Sequence, residues 1–213
     1  TNTWAIELDT EQKKLGYIIG MDIGKSLRDQ GTDVDLDSLI EAIRATYNDQ
    51  ELAMTVEEAG QVRKEYIEKM QAAKQAETAA AGQANLAEGQ KFLAENATKE
   101  GVQTTASGLQ YKVVTMGTGA KPAATNTVKV HYRGTLLDGT EFDSSYARNE
   151  PISFALNRVI PGWTEGVQLM PVGSKFMFYI APDLAYGEGG GGPIPPNSTL
   201  VFEVELLDIE ASD

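Results

Sequence analysis

Between Thr55 and Asn96 the chain has no proline and little else to stop a helix, so about forty residues read as one uninterrupted element. At 1.5 Å per residue that is a rod of roughly 60 Å. Its start is marked by Thr55-Val56-Glu57-Glu58, a capping box in which threonine and glutamate satisfy each other's backbone donors. An apolar stripe of Val56, Ala59, Val62, Tyr66, Ile67 and Met70 follows. Beyond Met70 the stretch is rich in alanine and polar on most sides, so little of it is expected to be buried. It reads as a stiff spacer that ends at Lys99-Glu100-Gly101, where a short polar linker runs through Gly108.

Two helices are expected before it. In the first, Leu15, Ile18, Ile19, Asp22, Ile23 and Leu27 follow three-and-four spacing with one polar interruption. Gly16, Gly20 and Gly24 recur on the same segment, although glycine costs up to about 1 kcal/mol in a helix interior. Close approach of another helix explains three in register. The alternative is a helix packed tightly within its own chain. A second helix is expected from Leu36 to Tyr47, with Leu36, Leu39, Ile40 and Ile43 on one face and Asp35 or Asp37 near its start. These helices hold too few large apolar side chains for an independent core. Residues 1–70 are therefore expected to share one with a second copy, as a homodimer with Gly16, Ile19, Gly20, Ile23 and Gly24 at the interface.

The 213 residues allow one large domain or two small ones, and 41 % hydrophobic residues suffice for a packed core. No window approaches the roughly 18 consecutive apolar residues of a membrane span, and no signal peptide is read at the N-terminus. The chain opens on Thr1 rather than Met, as one that had lost a leader would, and as a trimmed one would. It has no cysteine, which excludes disulfides, thiolate nucleophiles and thiolate metal sites and fits a secreted or periplasmic chain. A single histidine, His131, excludes a histidine-rich metal centre, and neither metal nor cofactor is expected. The net charge of −13 opposes phosphate neutralisation, so nucleic acid is not expected as a partner. That acidity is spread over both halves and reads as solubility.

From Leu109 the period changes to two. Strands are expected at Leu109–Thr115, Thr127–Thr135, Ile152–Leu156, Ser174–Ile180 and Thr199–Ile209, with a hairpin signal at Leu137-Asp138-Gly139-Thr140. One short helix fits around Gly162–Met170, closed by Pro171 and Gly173. The class is α+β: an antiparallel sheet with a short helix, preceded by an all-α region with a long connecting helix. Tyr132, Phe142, Asp143, Phe154, Val159, Ile160, Trp163, Tyr186, Ile194 and Phe202 stand out as aromatic and aliphatic groups with one carboxylate. By spacing alone, large apolar side chains in strands read as ordinary core.

Six blocks in order carry a resemblance. They are Val130-His131-Tyr132-Arg133-Gly134, then Asp138-Gly139-Thr140-Glu141-Phe142-Asp143-Ser144-Ser145, then Val159-Ile160-Pro161-Gly162-Trp163. Leu184-Ala185-Tyr186-Gly187 and Ile194-Pro195-Pro196-Asn197 follow, with Leu200-Val201-Phe202-Glu203-Val204-Glu205-Leu206 closing the match. Residues 109–209 thereby resemble the tacrolimus-binding (FKBP) family of peptidyl-prolyl cis–trans isomerases. The N-terminal half resembles the helical arm of the macrophage infectivity potentiator (Mip) type, through Gly16-Tyr17-Ile18-Ile19-Gly20, Gly24-Lys25-Ser26-Leu27 and the long helix. The resemblance implies a twisted sheet around a short helix, with a pocket between them. Trp163 would face the proline ring, walled by Tyr132, Phe142, Phe154, Val159, Ile160 and Phe202. The Ile160 N–H and the Tyr186 hydroxyl would donate to carbonyls, and Asp143 would be a buried acceptor. It further implies proline-containing or unfolded protein clients, tacrolimus- or rapamycin-type inhibitors, intertwined arms in a dimer, and a place in the periplasm or outer cell envelope, with cytoplasm as the alternative. The domains would be 1–70 for dimerisation, 71–100 as linker helix and 101–213 as isomerase.

Some features depart from the family pattern or compete with it. The run Glu188-Gly189-Gly190-Gly191-Gly192-Pro193 is expected to form a mobile rim, and Arg158 to shift substrate charge preference. No Gly-Lys-Ser/Thr follows the glycines, so they are not a phosphate cradle. Asp138, Glu141 and Asp143 lack the spacing of a calcium loop. His131 alternates with Val130 and Tyr132 and should point away from the pocket. Asp143 has a second reading, as a structural carboxylate paired with a nearby arginine. Two other functions compete with the enzyme: a chaperone or adhesin in which turnover is incidental, and a structural dimer with no small-molecule site.

Overall fold

The computed structural model describes residues 6–210. They form two compact units that meet between Ile67 and Glu68. The first contains α1 (Glu11–Asp29), α2 (Leu36–Tyr47) and the opening turns of α3 (Val56–Asn96). Each helix is capped by its own sequence. The Thr10 hydroxyl accepts from the Lys13 N–H, and of the two candidate aspartates it is Asp35 that caps α2, accepting from the Ser38 N–H at 2.8 Å. At the start of α3, Thr55 Oγ1 accepts from the Glu58 N–H at 3.1 Å and Glu58 Oε2 accepts from the Thr55 N–H at 2.8 Å, closing the expected capping box.

This unit has no core of its own. Ala45 is its one buried residue among those described, and Leu15, Ile18, Ile19, Leu36, Ile40, Ile43, Val62 and Ile67 are exposed. A Cβ added to Gly16, Gly20 or Gly24 would meet nothing within 4 Å. The alternative of a glycine stripe packed tightly within its own chain is therefore not what the structure has.

The second unit is built on a seven-stranded antiparallel sheet of β1 (Val102–Thr104), β2 (Gln110–Thr115), β3 (Thr127–Leu136), β4 (Glu141–Ser144), β5 (Ile152–Ala155), β6 (Lys175–Ile180) and β7 (Leu200–Glu210). Spatial order is β1-β2-β6-β7-β3-β4. The outer edge of β3 is shared: Thr127–Val130 pair with β5 and Arg133–Thr135 with β4. Alternation is clean where one face is covered. Val128, Val130 and Tyr132 of β3, Phe176, Phe178 and Ile180 of β6, and Leu200, Phe202, Val204 and Leu206 of β7 all point into one core. Against it lies α4 (Pro161–Val167), with proline at its first turn, where the missing N–H costs nothing. Gly162 and Gly166 face the sheet, and a Cβ there would lie 2.6 Å from the Ile180 or Phe178 side chain. Their bareness lets the helix sit deep in the curve of the sheet.

The end of α3 differs from the expected solvated spacer. Gly82, Gly89 and Asn96, seven residues apart, are buried within the second unit. Asn96 Nδ2 donates to Gln110 Oε1 at 2.9 Å, Gln110 Nε2 donates to the Leu93 carbonyl at 2.8 Å, and the Phe92 ring lies 5.9 Å from that of Tyr179. A seam of small and polar residues leaves no hydropathic stripe, so periodicity does not reveal it. β1 and β4 were likewise not expected as strands, being short and rich in polar residues.

Candidate functional site

A cavity of about 580 Å³ opens between α4, the sheet and the 185–194 loop. All ten side chains singled out in the sequence line it: Tyr132 from β3, Phe142 and Asp143 from β4, Phe154 from β5, Val159 and Ile160 from the entrance to α4, Trp163 from α4, Tyr186 and Ile194 from the loop, and Phe202 from β7. Arg158 and Pro193 are on its wall too.

Trp163 is the hub. Its ring meets Tyr132 at 5.3 Å, Phe154 at 5.5 Å and Phe202 at 5.4 Å, with interplanar angles of 87°, 80° and 82°. Edge-to-face pairs of this kind set the electropositive ring edge against the electron-rich face, adding about 0.5–1.5 kcal/mol each beyond their burial. Phe142 meets Phe202 in the same way, at 5.5 Å and 85°. That pair requires Gly134, where a Cβ would lie 2.6–2.7 Å from both rings. Gly134→Ala is therefore expected to overpack the wall and destabilise the chain by about 1–3 kcal/mol, read by urea denaturation.

The carboxylate has a fuller set of partners than expected. The Tyr132 hydroxyl donates to Asp143 Oδ2, Arg148 Nη1 donates to Asp143 Oδ1 at 2.7 Å, and Arg148 Nη2 donates to the Tyr132 hydroxyl oxygen at 3.1 Å. The three groups form a closed ring. Asp143 is thus paired with an arginine while also lining the pocket, and its side chain is 43 % exposed rather than buried, because it lies on the short outer strand β4. Burial raises the Asp143 pKa, but hydrogen bonds from Arg148 and Tyr132 outweigh that and hold it below its ordinary 3.8. The stability it contributes is present above 3.8 and lost as pH falls through the lower folded value. Burial first, then the hydrogen bond to Asp143, pushes the Tyr132 phenol up to about 12. The charges of this ring are therefore constant from pH 5 to 9.

Arg148 was missed in the sequence. It sits on a turn closed by the Asn149 N–H donating to the Tyr146 carbonyl, outside any strand period. His131 faces away from the pocket, with Nδ1 2.8 Å from Ser145 Oγ and its ring stacked 4.6 Å from Tyr146. At the mouth, neither the Ile160 N–H nor the Tyr186 hydroxyl has a hydrogen-bond partner among the described residues. The glycine run expected as a mobile rim carries a hydrogen-bonded tight turn. The Gly191 N–H donates to the Ile194 carbonyl and the Ile194 N–H to the Gly191 carbonyl, both at 3.0 Å. Gly190, at φ +67°, passes so close to Ile194 that a Cβ would be 2.3 Å from its carbonyl oxygen. Among the described residues, no group of three or more His, Asp or Glu could hold a metal ion, and no helix is long and apolar enough to cross a membrane.

An aromatic cavity with unpartnered donors at its mouth and a fully engaged carboxylate suits a ligand that is apolar at its centre and carries carbonyls around it. Comparison with known proteins gives the same direction. Residues 118–207 match the family model described as FKBP-type peptidyl-prolyl cis-trans isomerase, and residues 12–113 match the domain amino terminal to it. The chain is 50 % identical over 210 residues to the FKBP-type peptidyl-prolyl cis-trans isomerase FkpA of Aeromonas hydrophila, covering 96 % of this chain and 78 % of that one. It is 42 % identical over 209 residues to the outer membrane protein MIP of Legionella longbeachae, covering 98 % and 90 %. The crystal structure of FkpA from Escherichia coli superposes with a TM-score of 0.85 at 37 % identity, over 97 % of this chain and all of that one. The chain belongs to the FKBP-type peptidyl-prolyl cis–trans isomerases.

Proposed function

We propose that the cavity around Trp163 isomerises X–Pro bonds by desolvating and twisting the amide, and that residues 1–70 pair two copies for work on unfolded clients. Rotation about the bond breaks amide resonance, against a barrier of roughly 18–20 kcal/mol. The planar amide separates charge and is well solvated by water, whereas the twisted form is less polar. A dry aromatic cavity therefore disfavours the first relative to the second. In this reading the proline ring packs on Trp163 between Tyr132, Phe154 and Phe202. Phe142, Val159 and Ile194 exclude water and the ring cluster fits the twisted amide, while the Ile160 N–H and Tyr186 hydroxyl anchor the flanking carbonyls in ground and transition state alike. Asp143, with both oxygens already hydrogen-bonded, supports Tyr132 and is an electrostatic neighbour of the ligand rather than a base.

The observation that carries this reading is the set of three edge-to-face contacts that fix Trp163 at the centre of a cavity whose mouth offers unpartnered donors. The test is a protease-coupled prolyl-peptide assay with and without rapamycin or tacrolimus. Catalysis well above the uncatalysed rate, abolished by stoichiometric macrocycle, is expected. Turnover indifferent to the macrocycle would place the chemistry outside this cavity.

The pairing of copies is supported by the coreless first unit and its bare glycine stripe, with Gly16, Ile19, Gly20, Ile23 and Gly24 at the interface. In this scheme 71–100 is the connecting helix and 101–213 the isomerase domain. Two linked pockets raise the effective concentration for a client with several prolines, which is the basis of a chaperone role. The relative from Legionella longbeachae is named an outer membrane protein, which supports a place in the cell envelope for this chain. Fractionation finding it in the cytoplasm contradicts that placement.

A further inference from the structure

The loop that forms one wall of the cavity, Tyr186 to Ile194, runs on without a break into Pro195–Thr199, and that continuation lies against α3. Asn85 Nδ2 donates to the Pro196 carbonyl at 2.8 Å. Asn197 Nδ2 donates to the Gly82 carbonyl at 3.2 Å, while the Asn197 N–H donates to the Gly187 carbonyl at 3.0 Å. Asn197 holds φ at +53°, a left-handed conformation uncommon outside glycine and best tolerated by asparagine. Two glycines clear the space. A Cβ on Gly82 would lie 3.3 Å from Pro196 Cβ, and one on Gly89 would overlap the hydroxyl of Thr199, a buried group with no hydrogen-bond partner. Two hydrogen bonds through one residue thus link the backbone of α3 to Gly187, which directly follows Tyr186.

We propose that Asn197, with Asn85 and Gly82, is a positioning residue of the isomerase site, through which α3 holds the Tyr186 side of the rim at the spacing a bound peptide needs. Asn197 does not line the cavity, so it acts through Gly187 and Tyr186 rather than on the substrate. This assignment rests on the isomerase reading of the cavity. It makes the C-terminal half of α3 part of the catalytic unit, although its sequence reads as a solvated spacer. A rim that drifts from its place weakens contacts made alike in the ground and transition states, so the effect falls on KM rather than on kcat.

The test uses the full chain and a prolyl tetrapeptide. Asn197→Gly keeps the left-handed backbone and removes only the side-chain donor, and Asn85→Ala removes the second tie. The double variant is expected to raise KM about fivefold or more, with kcat within twofold of the parent and Tm lowered by only a few degrees. Asn85→Gln, which keeps an amide donor, is expected to restore the share of the loss owed to that tie when it replaces Ala in that background, leaving the share owed to Asn197. Amide hydrogen exchange should quicken at Gly187–Ile194 and not in β3 or β7. A parental KM in the double variant overturns the proposal, as does a fall in kcat that tracks a lower Tm with exchange quickened throughout the sheet. Parental protein without catalysis contradicts the isomerase reading itself, a separate failure.

Discussion

Replacing Ile19 and Ile23 together with glutamate is expected to leave a monomer whose first two helices are unfolded at micromolar concentration. Both side chains lie on the exposed apolar face of α1, Ile19 being 50 % and Ile23 38 % exposed in the single chain. Burying an isoleucine contributes about 1.5–3 kcal/mol. With half or less of each side chain left to cover, two positions in each of two protomers account for roughly 3–5 kcal/mol, enough to weaken a micromolar dimer toward the millimolar range. Helices of 19 and 12 residues are marginal in water on their own, so loss of the partner removes what keeps them folded. Sedimentation should show one chain's mass and far-UV circular dichroism a loss of helix, while turnover of a short prolyl peptide stays at the parental value. Refolding of a proline-limited protein is expected to slow, because only there do two linked pockets matter. A dimer that survives both charges contradicts the interface.

Trp163→Ala is expected to act on the fold and the chemistry at once. The side chain is 4 % exposed and joins three other rings, so its removal opens a large void and costs about 3–5 kcal/mol of stability. It also removes the surface on which the proline ring packs. Losing that contact, at about 1.5–3 kcal/mol, lowers kcat/KM on the order of tenfold to a hundredfold. Trp163→Phe separates the two effects. The indole N–H has no hydrogen-bond partner, so phenylalanine forfeits volume alone. It should keep the fold and most of the activity. Equal damage from Phe and Ala would assign the indole N–H a role that this account lacks.

The helical half was legible where local chemistry decides. The bounds of α2 and the start of α3 follow from their caps and apolar spacing, and the structure has them there. The seam at Gly82, Gly89 and Asn96 was not legible, because it buries bare backbone and an amide instead of large side chains. The strands that cover the core announced themselves by period two. Glu141–Ser144 did not, since an edge strand of four residues with three polar side chains, from exposed Glu141 to buried Ser144, has no alternation to read. The site lies between these cases. Its ten residues come from four strands, one helix and its entrance, and a loop, and no spacing rule unites them; the resemblance did. Arg148 fell outside both, because its pairing with Asp143 depends on the turn at Asn149 (φ +51°), which only three-dimensional structure supplies.

Catalysis by desolvation and geometry requires no titrating acid or base in the cavity. Its most direct test is kcat/KM for a prolyl peptide across pH 5 to 9, measured in light and heavy water. Asp143 is held below its ordinary 3.8, Tyr132 is raised to about 12, and His131 faces Ser145 and Tyr146 outside the cavity. A flat profile with a solvent isotope effect near unity is the predicted result. A bell-shaped profile, or a rate that falls severalfold in heavy water, would mean that a proton moves in the rate-limiting step and would contradict the account.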